Sequence, residues 1–230
     1  MTTNRRSFIK AAGSLTVLFS LEFTGLLASG FAINDPELPD VLKRNPGVSA
    51  WLEILSNGSV RVFTGKVELG QGLCGAIAQA TAEELDIKVS QIEVVIADTR
   101  RTPNEGFTGG SFSTENSVLS IRYAAAAARR ELIDLAAAVL NVPAIDLKIE
   151  DGKISAVSGG RSLSFFALLE GRRLRSEVRL PLQLKPKEQY RISGKSVHRE
   201  DFKQMIVGAE MYIQDVRFPG MVHARTVSPP

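Results

Sequence analysis

Gly65-Lys66-Val67-Glu68-Leu69-Gly70-Gln71-Gly72-Leu73 lies between a strand-like run and a helix-like run, so the chain passes from one to the other through glycine-rich backbone. Glycine has no Cβ, so such a turn lets backbone amides come close to a polar or anionic ligand at the start of a helix. A phosphate-cradling P-loop is excluded, because Gly70-Gln71-Gly72-Leu73 lacks the Gly-Lys-Ser/Thr ending. Gly70, Gly72 and Gly75 satisfy the G-x-G-x-x-G spacing. No acidic residue, however, ends a second parallel strand where a dinucleotide site needs one, which argues against that reading. Two readings of the stretch stay open: a ligand-binding loop, and a tight strand-to-helix turn that binds nothing.

Periodicity places the loop in a mixed α/β pattern. Upstream, Ala50, Leu52 and Ile54 alternate with Trp51, Glu53 and Leu55, Asn57-Gly58 supplies a two-residue turn, and Val60, Val62 and Phe63 begin the return strand. Downstream, Leu73 to Leu85 holds Leu73, Ile77 and Ala80 without a proline, which predicts a helix packed on that hairpin. Gln91 to Ala97 alternates Ile92, Val94 and Ile96 and predicts a strand. That strand ends at a second loop, Ala97 to Ser113, rich in glycine and hydroxyl groups. The loop leads into a long helical pattern marked by Val118, Ile121, Ala125, Ala128, Leu132, Leu135 and Val139. Unpaired N–H groups and the macrodipole at that helix's start suit an anion, although an ordinary solvated loop with a Ser or Thr cap has the same composition.

Further along, Ile145, Leu147 and Ile149, the turn Asp151-Gly152, and Ile154 with Ala156 predict a second hairpin, and Leu163 to Leu169 a short helix. The order ββαβαββ predicts a layered α/β domain over 48–175, with helices covering one face of a sheet. Residues 33–47 and 176–194, each with several prolines or charges, read as linkers. Tyr212 to Val216 and Met221 to Val227 read as two strands around Pro219-Gly220.

Composition sets limits on function. With 230 residues, 44% hydrophobic and 23% charged, the chain can bury a sizeable core, and a formal charge of +3 gives no basis for a nucleic-acid partner. Cys74 is the single cysteine, which rules out an intramolecular disulfide, a chain-borne iron–sulfur cluster and a cysteine zinc site. His198 and His223 are too few and too far apart for a metal cluster, so no metal ligand is assigned. At the start, Asn4-Arg5-Arg6-Ser7-Phe8-Ile9-Lys10 and the mostly apolar run Ala11 to Leu27 read as a twin-arginine export signal over 1–32. Export to the periplasm is expected, with membrane anchoring by an uncleaved signal as the alternative.

Four segments in one order resemble the molybdopterin-binding large subunit of the xanthine dehydrogenase and aldehyde oxidase family, especially its bacterial isoquinoline 1-oxidoreductase type. They are GKVELGQG at 65–72, AQATAEEL at 78–85, ADTRRTPNEGFTGGSFS at 97–113 and GKSVHREDFKQMIVGAEMYIQDVRFPGMVHARTVSPP at 194–230. The resemblance implies a mixed α+β molybdopterin-binding domain, followed over 195–230 by the opening of an α/β hammerhead domain. It implies molybdopterin with molybdenum, with a dinucleotide form such as the cytosine dinucleotide as one option. It also implies oxidation of an aldehyde or N-heterocycle with oxygen taken from water.

Implied partners are a small subunit carrying 2Fe-2S clusters, the remainder of a longer large subunit, a small-molecule substrate and a cytochrome c as electron acceptor. On this resemblance Gly70, Gln71 and Gly72 contact the pterin end, and Thr108, Ser111 and Ser113 contact the phosphate tail. No catalytic residue is assigned, because the family's general base lies in later segments. An exported non-catalytic binding protein, or a truncated remnant of such an enzyme, is the alternative.

Overall fold

The computed structural model describes residues 37–227 except 200, 210 and 211, so the twin-arginine segment lies outside the described residues. The hairpin expected around Asn57-Gly58 forms from β1 (Leu52–Ile54) and β2 (Val60–Thr64), paired antiparallel with Leu52 opposite Val62 and Ile54 opposite Val60. Its turn closes because Gly58 adopts a left-handed φ of 84° and the Asn57 side chain accepts a hydrogen bond from Ser59 N at 2.9 Å. Strand β3 (Ile92–Ile96) then lies parallel to β2, from Val60 opposite Ile92 to Thr64 opposite Ile96. A parallel neighbour requires a crossover, and the helix Leu73–Leu85 supplies it. We number that helix α2, since a short helix α1 (Asp40–Arg44) precedes it.

Helix α2 buries Leu73, Ile77, Ala82 and Leu85 against the long helix α3 (Leu119–Leu140), which is entered through a π-helical turn at Ser113–Val118. On α3 the run Ala124 to Ala128 is buried, as are Ile121, Leu132 and Ala136. Small side chains there let two helices approach closely, while Ile77 and Leu132, both at 0% exposure, fill the remaining space. Beyond α3, β4 (Leu147–Glu150), β5 (Lys153–Ala156) and β6 (Ser162–Ser164) form an antiparallel sheet in that order. Helix α4 (Phe165–Leu169) follows, started by the Ser164 side chain, which accepts from Ala167 N at 3.2 Å.

The fold is the mixed α/β arrangement expected, with differences in detail. The strands form two separate three-stranded sheets, β1-β2-β3 and β4-β5-β6, where a single sheet was expected. Residues 162–164 pair as an edge strand, so the expected helix from Leu163 starts only after the Ser164 cap. Within 33–48, read as extended, α1 forms and buries Val41 and Leu42. Residues 176–178 are tied back to this region: Val48 N donates to Ser176 O at 3.0 Å, and Val178 N to Pro46 O at 2.8 Å. The strands expected at 212–216 and 221–227 are absent. Ile213–Asp215 is a 3-10 turn, and the described residues there have no strand beside them to complete a ladder. Residues 202–206 form the last helix among the described residues, α5 (Phe202–Ile206).

Candidate functional site

Parallel pairing of β2 and β3 brings both glycine-rich loops to one end of the sheet, because each loop follows the carboxyl end of its strand. Their junction is extensively hydrogen-bonded. Glu105, buried at 6% exposure, accepts through Oε2 from Thr64 Oγ1 at 2.6 Å and from Gly65 N at 2.6 Å. Lys66, also buried, donates through Nζ to the carbonyls of Glu105 and Phe107, each at 2.8 Å. Thr108 Oγ1 accepts from Val67 N at 2.9 Å. At Gly65 a Cβ would come within 2.2 Å of Pro103 O, so only glycine allows the loops this approach.

Within the first loop, the amides expected to face a ligand are already engaged. Glu68 Oε1 accepts from Gly70 N and Gly72 N at 2.9 Å each, and Oε2 accepts from Cys74 N at 3.2 Å, so a carboxylate of the chain caps α2. Gln71 is exposed and folded onto its own loop: Nε2 donates to Val67 O at 2.9 Å and Oε1 accepts from Leu69 N at 2.6 Å. Gly70 and Gly72 hold left-handed φ values of 103° and 79°, which shape the turn into α2. In the second loop Ser111 is exposed with a left-handed φ of 63°, and Ser113 opens the π-helical turn.

The two loops therefore meet through Thr108, whereas Ser111 and Ser113 stand further along the second loop, with no side-chain hydrogen bond among the described residues. Gln71, a donor and acceptor, and these hydroxyl groups have the hydrogen-bonding chemistry that a pterin with an anionic tail requires. Among the described residues no group of three His, Cys, Asp or Glu could hold a metal ion, and no helix is long and apolar enough to cross a membrane.

Several contributors had no sequence reading of their own. Glu68, Lys66 and Glu105 lie inside the quoted motifs, and an acidic residue just before a helix start is itself a capping signal. Arg199 gave no local signal. Its Nη1 donates to Gly70 O at 2.8 Å across 129 residues, while Nη2 pairs with Asp201 Oδ2 at 2.7 Å and Nε with Asp201 Oδ1. The hydrogen bond to Arg199 holds the Asp201 carboxyl below its ordinary range. Burial, reinforced by Glu68, pushes the Cys74 thiol up to about 11, so it stays protonated at neutral pH and is a poor ligand or nucleophile.

Two clefts lie elsewhere. One of about 470 Å³ carries Arg61, Arg100, Arg101, Arg172 and Arg173, with Arg101 stacked 5.4 Å from the Phe63 ring. The other, about 460 Å³, borders Glu83 and Lys185.

Comparison with known proteins matches residues 25–213 to the molybdopterin cofactor-binding domain family. The chain is 37% identical over 212 residues to a nicotinate dehydrogenase polypeptide of Pseudomonas putida, covering 90% of this chain and 18% of that protein. It is 26% identical over 266 residues to the beta chain of isoquinoline 1-oxidoreductase from Brevundimonas diminuta, covering 99% of this chain and 33% of that protein. The chain thus spans 18% and 33% of the lengths of these two curated relatives. Among solved structures, Cu,Mo-CO dehydrogenase aligns with a TM-score of 0.46 and 26% identity, over 51% of this chain and 15% of that one. With most of its length inside the family match, this chain belongs to the molybdopterin cofactor-binding domain family of xanthine dehydrogenase and aldehyde oxidase type.

Proposed function

We propose that the two cross-linked loops hold molybdopterin in a large subunit that oxidises an aldehyde or an electron-poor N-heterocycle, with oxygen taken from water. The observation that carries this reading is the junction itself. Thr108, Lys66 and Glu105 fix two glycine-rich loops against each other beside hydroxyls, on Ser111 and Ser113, that have no partner among the described residues. When bound, the cofactor supplies the two-electron redox chemistry, and the chain supplies binding and orientation. Gln71 exchanges its two hydrogen bonds to Val67 and Leu69 for contacts to the pterin, at small cost because it is exposed. Ser111, Ser113 and the Thr108 hydroxyl donate to the phosphate tail of molybdopterin, either alone or in a dinucleotide form such as the cytosine dinucleotide.

The same reading extends to partners and location. These 230 residues, with Cys74 as their single cysteine, cannot hold an iron–sulfur cluster, and the resemblance supports electrons leaving through 2Fe-2S clusters on a separate subunit, with a cytochrome c as acceptor further on. Residues 195–230 form the opening of a hammerhead domain, supported by the motif starting at Gly194. Residues 1–32 direct export to the periplasm, supported by Arg5-Arg6 ahead of an apolar run. Replacing both arginines by lysine is expected to leave the precursor in the cytoplasm on fractionation, since lysine lacks the planar guanidinium.

The test of the cofactor site is the molybdenum and pterin content of purified full-length protein. Gln71→Ala removes a donor and an acceptor, a loss on the order of 1–3 kcal/mol, or roughly fivefold to 150-fold in affinity. Ser111→Ala and Ser113→Ala each remove one contact to an anion, about 1.5–3 kcal/mol. Content is expected to fall in all three with circular dichroism unchanged, and to stay at wild type in Ser158→Ala. Full cofactor content in Gln71→Ala contradicts the assignment.

A further inference from the structure

We propose that Arg199 and Tyr212 supply a third side of the cofactor loop, with Arg199 as a positioning residue for Gly70 and Tyr212 as a direct contact to the bound group. The proposal rests on reading the first loop as the pterin site.

Gly70 is held through both of its backbone polar groups. Its N–H donates to Glu68 Oε1 at 2.9 Å, and its carbonyl accepts from Arg199 Nη1 at 2.8 Å. The guanidinium is itself locked in place by the two-pronged pairing with Asp201 and lies 3.9 Å from Glu68 Oε1. A planar fork bound at one edge by a carboxylate leaves its remaining N–H groups pointing in fixed directions, which a lysine cannot reproduce. Gly70 has a left-handed φ of 103° and no side chain, so its conformation depends on what holds the peptide. Gln71 is the next residue, and its direction follows from that peptide. Arg199 thus fixes, from the far end of the chain, the residue whose amide is assigned to the pterin.

Tyr212 completes the wall. Its hydroxyl is buried and has no hydrogen-bond partner among the described residues, yet it lies 3.4 Å from the point where a Gly70 Cβ would be. Buried hydroxyls are paired in the large majority of cases, so an orphan beside a ligand loop identifies a place where a ligand polar group belongs. A pterin carbonyl or amide has the acceptor and donor chemistry that a phenol hydroxyl matches.

Two readouts on full-length protein test this. Amide hydrogen exchange of cofactor-free protein reports the positioning role: Arg199→Gln is expected to raise exchange at Gly70 and Gly72 at least tenfold, Arg199→Lys to give an intermediate rise, and amides of α3 to stay at wild-type protection. Cofactor content reports the contact: Tyr212→Phe is expected to leave loop exchange unchanged while molybdenum and pterin fall to a third or less. Wild-type exchange in Arg199→Gln overturns the positioning role, and full content in Tyr212→Phe overturns the contact. Exchange is read without cofactor, so it stands apart from the pterin reading, which Gln71→Ala decides separately.

Discussion

Glu83 has 1% exposure and gathers hydrogen bonds along a single returning strap: from Lys185 Nζ at 2.9 Å, Arg191 N at 3.0 Å, Ile192 N at 2.7 Å and Ser193 N at 2.8 Å. Burial pushes its carboxyl up, but the Lys185 ammonium and the three N–H groups outweigh that and lower it from 4.5 to about 2. A depressed folded-state value means that the carboxylate stabilises the protein fully above about 4.5, and that this contribution is lost as pH falls toward about 2. Its neighbour Glu84 runs the other way, because burial raises its carboxyl despite Lys185 N–H and Arg122. Comparing wild type with Glu83→Gln isolates the first effect. In urea unfolding the wild type is expected to be the more stable at pH 6, with the gap narrowing below pH 4.5 and closing near pH 2. Lys185→Met leaves Glu83 and Asp86 without their shared ammonium and is expected to cost about 3–5 kcal/mol in the same measurement at neutral pH. An unchanged midpoint contradicts the assigned clamp.

At the scale of elements, α2 and α3 pack against each other, and the Ala124 to Ala128 run is buried on every side of α3. Ala125→Leu is expected to destabilise by about 1–3 kcal/mol through overpacking, and Leu132→Ala by about 2–5 kcal/mol through the cavity it leaves. Val139→Ala, at a position 55% exposed on the same helix, stays within about 0.5 kcal/mol, and equal effects at all three positions on thermal unfolding contradict this packing. These elements are also where local pattern was most informative. The apolar spacing over Leu73 to Leu85 marks both ends of α2, and Asn57-Gly58 marks the first hairpin, because each signal is set by neighbours within a few residues. The split into two sheets has no such signal, since edge pairing of β6 with β5 depends on strands from a hairpin folding back. Likewise nothing local to Glu83-Glu84 signals their burial, which depends on Lys185, 102 residues from Glu83, and on the N–H groups of 191–193.

For the whole molecule, a parallel β2–β3 pair delivers both loops to one edge, and the chain after residue 175 returns across α2 to reach the same place. The motifs in the sequence mark the two loops that meet there. They do not reveal that Glu68 caps α2, that Gln71 folds onto its own loop or that Arg199 holds Gly70, because these contacts are matters of side-chain direction and long-range closure. Molybdopterin lying where the two loops meet is the proposal on which the rest depends. Anomalous diffraction at the molybdenum edge from crystals of the cofactor-loaded full-length protein locates the metal directly. A peak on the Gln71 side of the junction, with phosphate density beside Ser111 and Ser113, is the expected result, and a molybdenum position remote from both loops contradicts it.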